Sequence, residues 1–383
     1  LPKDFSNISD ILKPCGRLFL SVDLVGSTAH KQNTSFPLSV DDPSWPEGEL
    51  SPPWLSSISD FFAQFGRVFN EGWDEYCEYA KNKSLPSGSA PQLWKANGDE
   101  LIYVKELNDR RELYGCLDAW IRSLRSYRSE LQKHGSLDVK GTCWFAGFPI
   151  TNSEIVFQQN VGLDDDNFAD DPRLRQLYLR EKWHQSSTGD STLIRDFIGP
   201  SIDIGFRLTG LASPRKMIIS LDVAYFIATA HLPSGSPSER RLEWFNTVYD
   251  GRKPLKGVLN GKPYPVFWID VTKDEPLAQA EDKLLNHIKY CSEKEIMEFC
   301  ENFFVEHRGS MLKPFLINEP DEQYGIIPEN YFEFLEYLQD RWQSEKERYE
   351  NEMAENSPDQ EEGEKLSSAE MKDIARKSAR KDS

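Results

Sequence analysis

The stretch Arg17–Thr28, RLFLSVDLVGST, constrains the fold of this chain more than any other. Leu18, Phe19, Leu20 and Val22 make an apolar run of the kind that forms a buried strand. That strand delivers one carboxylate, Asp23, to its C-terminal end. Gly26-Ser27-Thr28 then supplies a tight turn and a helix start, whose free backbone N–H groups suit an anionic ligand. An acidic side chain beside an anion cradle makes chemical sense when a divalent cation sits between them. Alone the motif is ordinary, because many strands end in Asp before a Gly-Ser turn.

A second stretch, Gln92–Lys105 (QLWKANGDELIYVK), gives it weight. Asn97-Gly98 signals a two-residue hairpin between arms Gln92–Lys95 and Glu100–Lys105, with Asp99 at the foot of the second arm. A hairpin laid beside the first strand brings Asp99 close to Asp23. Two carboxylates on neighbouring strand ends suit two Mg²⁺ or Mn²⁺ ions, which take oxygen ligands and bridge triphosphate oxygens. The plainer alternative is that Asp99 decorates its turn. In a third stretch, Asp196–Arg207 (DFIGPSIDIGFR), a helix starting near Ser201 puts Asp203 and Arg207 on one face at i, i+4. Asp196 precedes it in a loop or strand end. As a simple exposed ion pair, Asp203 and Arg207 would contribute roughly 0.3–0.5 kcal/mol.

Taken in order, FLSVDLVGST, Lys95-x-x-Gly98-Asp99 and Asp196-x6-Asp203-x3-Arg207 resemble the class III nucleotidyl cyclases, over roughly Pro14 to Val271. GPSIDIGFRL, with Asp203 where those enzymes usually carry Asn, further resembles the pyrimidine cyclases of bacterial Pycsar antiphage systems. The resemblance implies an α+β, ferredoxin-like domain: a mixed, mainly antiparallel sheet with flanking helices, plus a helical C-terminal extension. It implies that Asp23, Asp99 and the backbone of Leu24 hold two Mn²⁺ or Mg²⁺ ions per site, and that Gly26, Ser27 and Thr28 take phosphates. Lys95 and Asp196 would read the base, Arg207 would steady the transition state, and Asp203 holds the ribose-orienting position. Sites of this family form between subunits, so a homodimer with two equivalent sites is implied.

The implied reaction converts UTP to 3′,5′-cyclic UMP and diphosphate, a second messenger for a separate cyclic-nucleotide-sensing effector in antiphage defence. CTP giving cyclic CMP is the alternative, followed by an adenylyl or guanylyl cyclase and by an inactive nucleotide-binding homologue. A lysine donor with a carboxylate acceptor suits the exocyclic amine of adenine or cytosine. Uracil shows a carbonyl there, so the local chemistry and the subgroup resemblance pull apart. Palm-type polymerases and diguanylate cyclases also use two carboxylates on a strand and hairpin, but no GGDEF-like hairpin occurs here.

Composition narrows the remaining classes. The 383 residues include 10 Trp, 14 Tyr and 22 Phe, enough for a sizeable folded core. A net charge of −18 excludes nonspecific binding to nucleic acid or to an anionic membrane surface. No run of about 18 apolar residues and no signal-peptide pattern occurs, and the six cysteines lack metal spacing; a cytoplasmic setting with reduced thiols is expected. The expected division is a lead-in at 1–13, a cyclase domain at 14–272 with an insertion at 154–192, a helical extension at 273–350 and a charged tail at 351–383. Periodicity predicts helices over Ser56–Lys83, Asn108–His134, Leu284–His307 and Pro328–Tyr349. Asp138–Ile150 reads as one long strand or a strand pair. Arg110, Arg111, Arg122, Arg125 and Arg128 read as the solvated side of their helix, with a phosphate surface as the alternative. Asn260-Gly261 marks a second hairpin within Leu255–Val271.

Overall fold

In a computed structural model the described residues are 7–33, 53–134, 137–158, 172–186, 192–230, 245–272, 275–284 and 290–356. The chain runs β1 (Cys15–Val25), α1 (Ser27–Asn33), α2 (Pro53–Lys83), β2 (Gln92–Asn97), β3 (Glu100–Leu107), α3 (Arg110–His134), β4 (Asp138–Phe148), β5 (Ser153–Gln158) and α4 (Pro172–Gln185). It continues as β6 (Leu193–Ile198), α5 (Pro200–Thr209), β7 (Lys216–Ile219), α6 (Leu221–Thr229), β8 (Thr247–Lys253), β9 (Tyr264–Asp270), α7 (Pro276–Leu284), α8 (Glu293–Glu306) and α9 (Glu329–Asn356). Two compact units result, residues 13–155 with 195–332, and residues 1–12 with 156–194 and 333–383.

The larger unit is built on β1. Its apolar run lies mid-sheet, antiparallel to β3 on one side and to β4 on the other. The segment β1-α2-β2-β3-α3-β4 makes an antiparallel ladder in the order β2-β3-β1-β4, which is the ferredoxin-like arrangement. Strands β7, β9 and β8 extend it to seven, with β7 parallel to β4. The expected α+β class, mainly antiparallel with flanking helices, is what the chain adopts.

Strand alternation divides the sheet into two faces. Leu18, Leu20, Val22 and Leu24 point towards α2 and α3, where the stripe Phe61, Phe65, Phe69, Trp73 meets Trp120 in one buried cluster. The Phe69 and Trp120 rings stand edge to face at 4.8 Å. On the other face Phe19, Ile102, Val104 and Trp144 pack under Phe197 of β6 and Ile202 of α5. α8 closes the first face further along, burying Ile296, Cys300, Phe303 and Phe304. Its start is fixed by a capping box in which Ser292 and Glu295 satisfy each other's backbone N–H groups.

In the smaller unit, Ile8, Ile11 and Leu12 pack with Leu174, Leu177 and Trp342. Lys346 pairs with Glu181 at 2.7 Å.

Several expectations need correction. The first hairpin is shifted by one residue: Asn97 pairs with Glu100, so the loop is Gly98-Asp99, with Gly98 at φ 67°. A positive φ at the first loop position is what glycine permits. Asn260-Gly261 is not a two-residue hairpin; it closes a 3₁₀ turn inside the longer β8–β9 connection. The helix expected over Leu284–His307 is instead α7 and α8, with residues 285–289 outside the described set. The α3 arginines are not a solvated row. Arg110 is 5% exposed and bonds Glu319, while Arg125 donates to the Val271 carbonyl at 2.8 Å and Arg128 pairs with Asp138 at 3.1 Å. Much of the expected insertion at 154–192 lies outside the described residues, as does the tail beyond 356.

Candidate functional site

The face of the sheet that carries Phe19 changes character along its length. Arg17, Phe19, Ser21 and Asp23 alternate on β1; opposite them stand Val104, Ile102 and Glu100 on β3, and Trp144, Thr142 and Lys140 on β4. The apolar half lies under β6 and α5. The other half is polar and ends in the row Glu100–Asp23–Lys140.

Asp23 and Asp99 are brought together as the sequence predicts. The Leu24 N–H donates to the Asp99 carbonyl at 3.3 Å, and the Ser27 hydroxyl donates to the Asp99 carboxylate. These bonds staple the hairpin loop to the end of β1 and the start of α1. Burial raises the Asp23 carboxyl above its ordinary range; the Lys140 ammonium, 3.0 Å from Oδ2, opposes this, and the negative charge of Asp99 adds to it. Glu100 is raised as well, chiefly by burial, with the Ser21 hydroxyl bond opposing and Asp23 adding. Gly26 takes φ 88° to turn the chain out of β1, and Ser27 is buried while Gly26 and Thr28 are exposed.

Half-buried carboxylates crowded beside one lysine, with oxygen atoms as the only donors, fit a hard divalent cation such as Mg²⁺ or Mn²⁺. Among the described residues no group of three or more His, Cys, Asp or Glu side chains converges on one ion position. A cation held by Asp23 and Asp99 would complete its shell from backbone, water or ligand oxygens.

Lys95 and Asp196 also meet. A bulge between Leu93 and Lys95 sets Trp94 and Lys95 on the same face, where Lys95 Nζ lies 2.9 Å from Asp196 Oδ1 on β6. The ammonium also stands 4.0 Å from the Trp94 ring centre, and Trp94 packs edge-on against Phe197. The phenylalanines and tryptophans thus form a floor with the Lys95–Asp196 pair at one rim and Arg17 and Arg195 over the Phe197 ring.

On α5, Ile202, Ile204, Gly205 and Leu208 face inwards, and Asp203 and Arg207 face out one turn apart. They form no ion pair with each other; the Arg207 Nε donates to the Lys256 carbonyl at 3.3 Å. The guanidinium is therefore largely available to a ligand. Pro200 at the first turn presets the helix start, and Asn152 fixes it by accepting from the Ser201 N–H at 2.9 Å.

Sequence reasoning missed Lys140, Glu100 and Ser21. Nothing local distinguishes Lys140 within DVKGTCWFAGF; only the register pairing it with Asp23 gives it a place in the site. Glu100 carried a usable signal, being a third acid next to Asp99.

No protein-family model and no curated protein matches the chain. Among solved structures it is similar to the adenylyl cyclase CyaB from P. aeruginosa, with 10% identity and a TM-score of 0.36 over 67% of this chain and 94% of that one. It is similar also to the guanylate cyclase domain of RhGC from Catenaria anguillulae in complex with GTP, with 13% identity and a TM-score of 0.35 over 67% of this chain and 97% of that one. A bacterial light-regulated adenylyl cyclase is similar at 8% identity and a TM-score of 0.37, over 76% of this chain and 58% of that one.

Proposed function

We propose that the chain is a class III nucleotidyl cyclase that converts a pyrimidine nucleoside triphosphate, UTP before CTP, to its 3′,5′-cyclic monophosphate and diphosphate. The observation that carries this reading is the convergence of Asp23 and Asp99, 76 positions apart in the sequence, fastened by Leu24 and Ser27. Two Mg²⁺ or Mn²⁺ ions, held by Asp23, Asp99 and the backbone of Leu24, would supply the charge that binds the triphosphate and acidifies the 3′-hydroxyl.

The protein's own groups do the rest. Backbone N–H groups of Gly26, Ser27 and Thr28 bind phosphate oxygens. Lys95 donates to the base and Asp196 accepts from it, beside Trp94 and the α5 residue Phe206, whose ring centres lie 4.0 and 5.5 Å from the Lys95 ammonium. Arg207, a permanent cation, meets the charge that gathers on the α-phosphate as diphosphate departs. Asp203 stands beside it to accept from a ribose hydroxyl. In a homodimer, Lys95, Asp196 and Arg207 of one protomer complete the carboxylate half-site of its partner. The cyclic product would act through a separate cyclic-nucleotide-sensing effector in antiphage defence.

Because a hydrogen-bond acceptor at Asp196 favours an amine partner, cyclic CMP is the second reading, followed by a purine product. The test is incubation with each of the four NTPs and Mn²⁺ or Mg²⁺, with products identified by mass. A cyclic pyrimidine product that disappears in folded Asp23→Ala and Asp99→Ala chains is expected. Undiminished product in those variants, or none from any NTP, overturns the reading.

A further inference from the structure

Lys140 and Asp23 are direct cross-strand neighbours, and their 3.0 Å contact is between side chains only 24% and 27% accessible. Glu100 flanks Asp23 from the other side and is held by Ser21. Asp99 is held by Ser27. Among the described residues Lys140 forms no other ion pair or hydrogen bond, so its ammonium is committed to Asp23, with the Glu100 carboxylate also within its field. It sits on the carboxylate that the proposed chemistry needs free. A divalent ion approaching Asp23 meets that ammonium at a range where water screens poorly.

We propose that Lys140 is an internal counterion that occupies Asp23 until a polyphosphate arrives, so that metal and nucleotide bind cooperatively. This rests on the reading of Asp23 as a metal ligand. The lysine stem is a flexible four-carbon chain, so the ammonium leaves Asp23 by side-chain rotation with no change in β4. A triphosphate offers it several anionic oxygens in place of one carboxylate. Once it has moved, both Asp23 oxygens are open to a cation. By linkage the effect is mutual: nucleotide raises metal affinity by the same factor as metal raises nucleotide affinity. The simpler alternative is a cross-strand ion pair that only steadies the sheet.

The experiment is Mn²⁺ titration of the full chain by calorimetry and by electron paramagnetic resonance, alone and with 3′-deoxy-UTP or 3′-deoxy-CTP, which cannot cyclise. Lys140→Met is expected to bind Mn²⁺ about tenfold more tightly without nucleotide, and to lose about tenfold of the nucleotide-dependent gain. Lys140→Arg, which keeps the charge, is expected to behave like the wild type. Unchanged or weaker Mn²⁺ binding by folded Lys140→Met overturns the counterion role. Asp23→Asn separates the two levels. If it loses Mn²⁺ while Lys140→Met is unchanged, only the counterion role fails; if it binds Mn²⁺ like the wild type, the ligand reading fails too.

Discussion

Lys95 and Asp196, 101 positions apart, meet at 2.9 Å across β2 and β6. Each side chain is about one-third accessible (33% and 34%), and a pair so exposed contributes only about 0.2–1 kcal/mol to folding. Lys95→Met and Asp196→Asn should therefore keep the melting temperature within a few degrees. Each should lower kcat/KM at least about tenfold and change the ranking of the four NTPs. Competition assays read this directly; an unchanged ranking with lost stability would make the pair purely structural.

Complementation tests whether sites are shared between copies. Asp23→Ala and Arg207→Ala chains should each be inactive. Mixed in equal amounts, half the dimers are mixed and each has one intact site, so about one quarter of wild-type activity should return. Failure of any activity to return would mean that each chain builds its site alone.

Gly205 sits where α5 crosses β4, and a Cβ there would lie 2.3 Å from the Trp144 ring. The ring cannot retreat, because its far neighbour Phe19 stacks on it at 5.4 Å. Gly205→Ala should cost about 1–3 kcal/mol and lift the helix that presents Asp203 and Arg207. Thermal melts should show a modest loss, and turnover a larger one.

Lys105 is fully buried, pairs with Glu112 at 3.0 Å and donates to the carbonyls of Ser87 and Ser89. Removing one partner strands the other charge, so Lys105→Met should cost about 3–5 kcal/mol. Lys105→Met with Glu112→Leu should recover part of that in denaturant titrations.

Asp222, in the first turn of α6, lines a cavity of about 60 Å³ with Cys15, Ser201 and Ile204. Burial pushes its carboxyl from 3.8 up to about 7. The folded state thus holds a proton that the unfolded state releases near pH 4, and this contribution is lost as pH rises towards 7. Asp222→Asn should flatten that slope and gain about 1–2 kcal/mol near pH 8. Melting temperature against pH checks the sign.

The sequence made the paired acids legible because each ends a segment with strong local character: an apolar strand before Asp23, a glycine turn before Asp99. The one-residue shift of that turn was not legible, since Asn-Gly and Gly-Asp both make good two-residue loops and pairing with β1 decides between them. Arg110 shows the same limit. Its i, i+3 neighbours mark a helix, but groups a hundred to two hundred positions later, the Thr229 carbonyl and the Glu319 and Asp321 carboxylates, turn it from a surface cation into a buried clasp. Lys140 is similar, a residue given meaning by register alone.

Stapling the Gly98-Asp99 loop to the end of β1 through Leu24 and to the start of α1 through Ser27 has a regulatory corollary. A motion that separated Asp23 from Asp99 within one copy would have to break both of these hydrogen bonds. In the proposed homodimer, control would then fall on the meeting of two copies. Dilution alone should silence such a protein, and anything that gathers copies together should wake it.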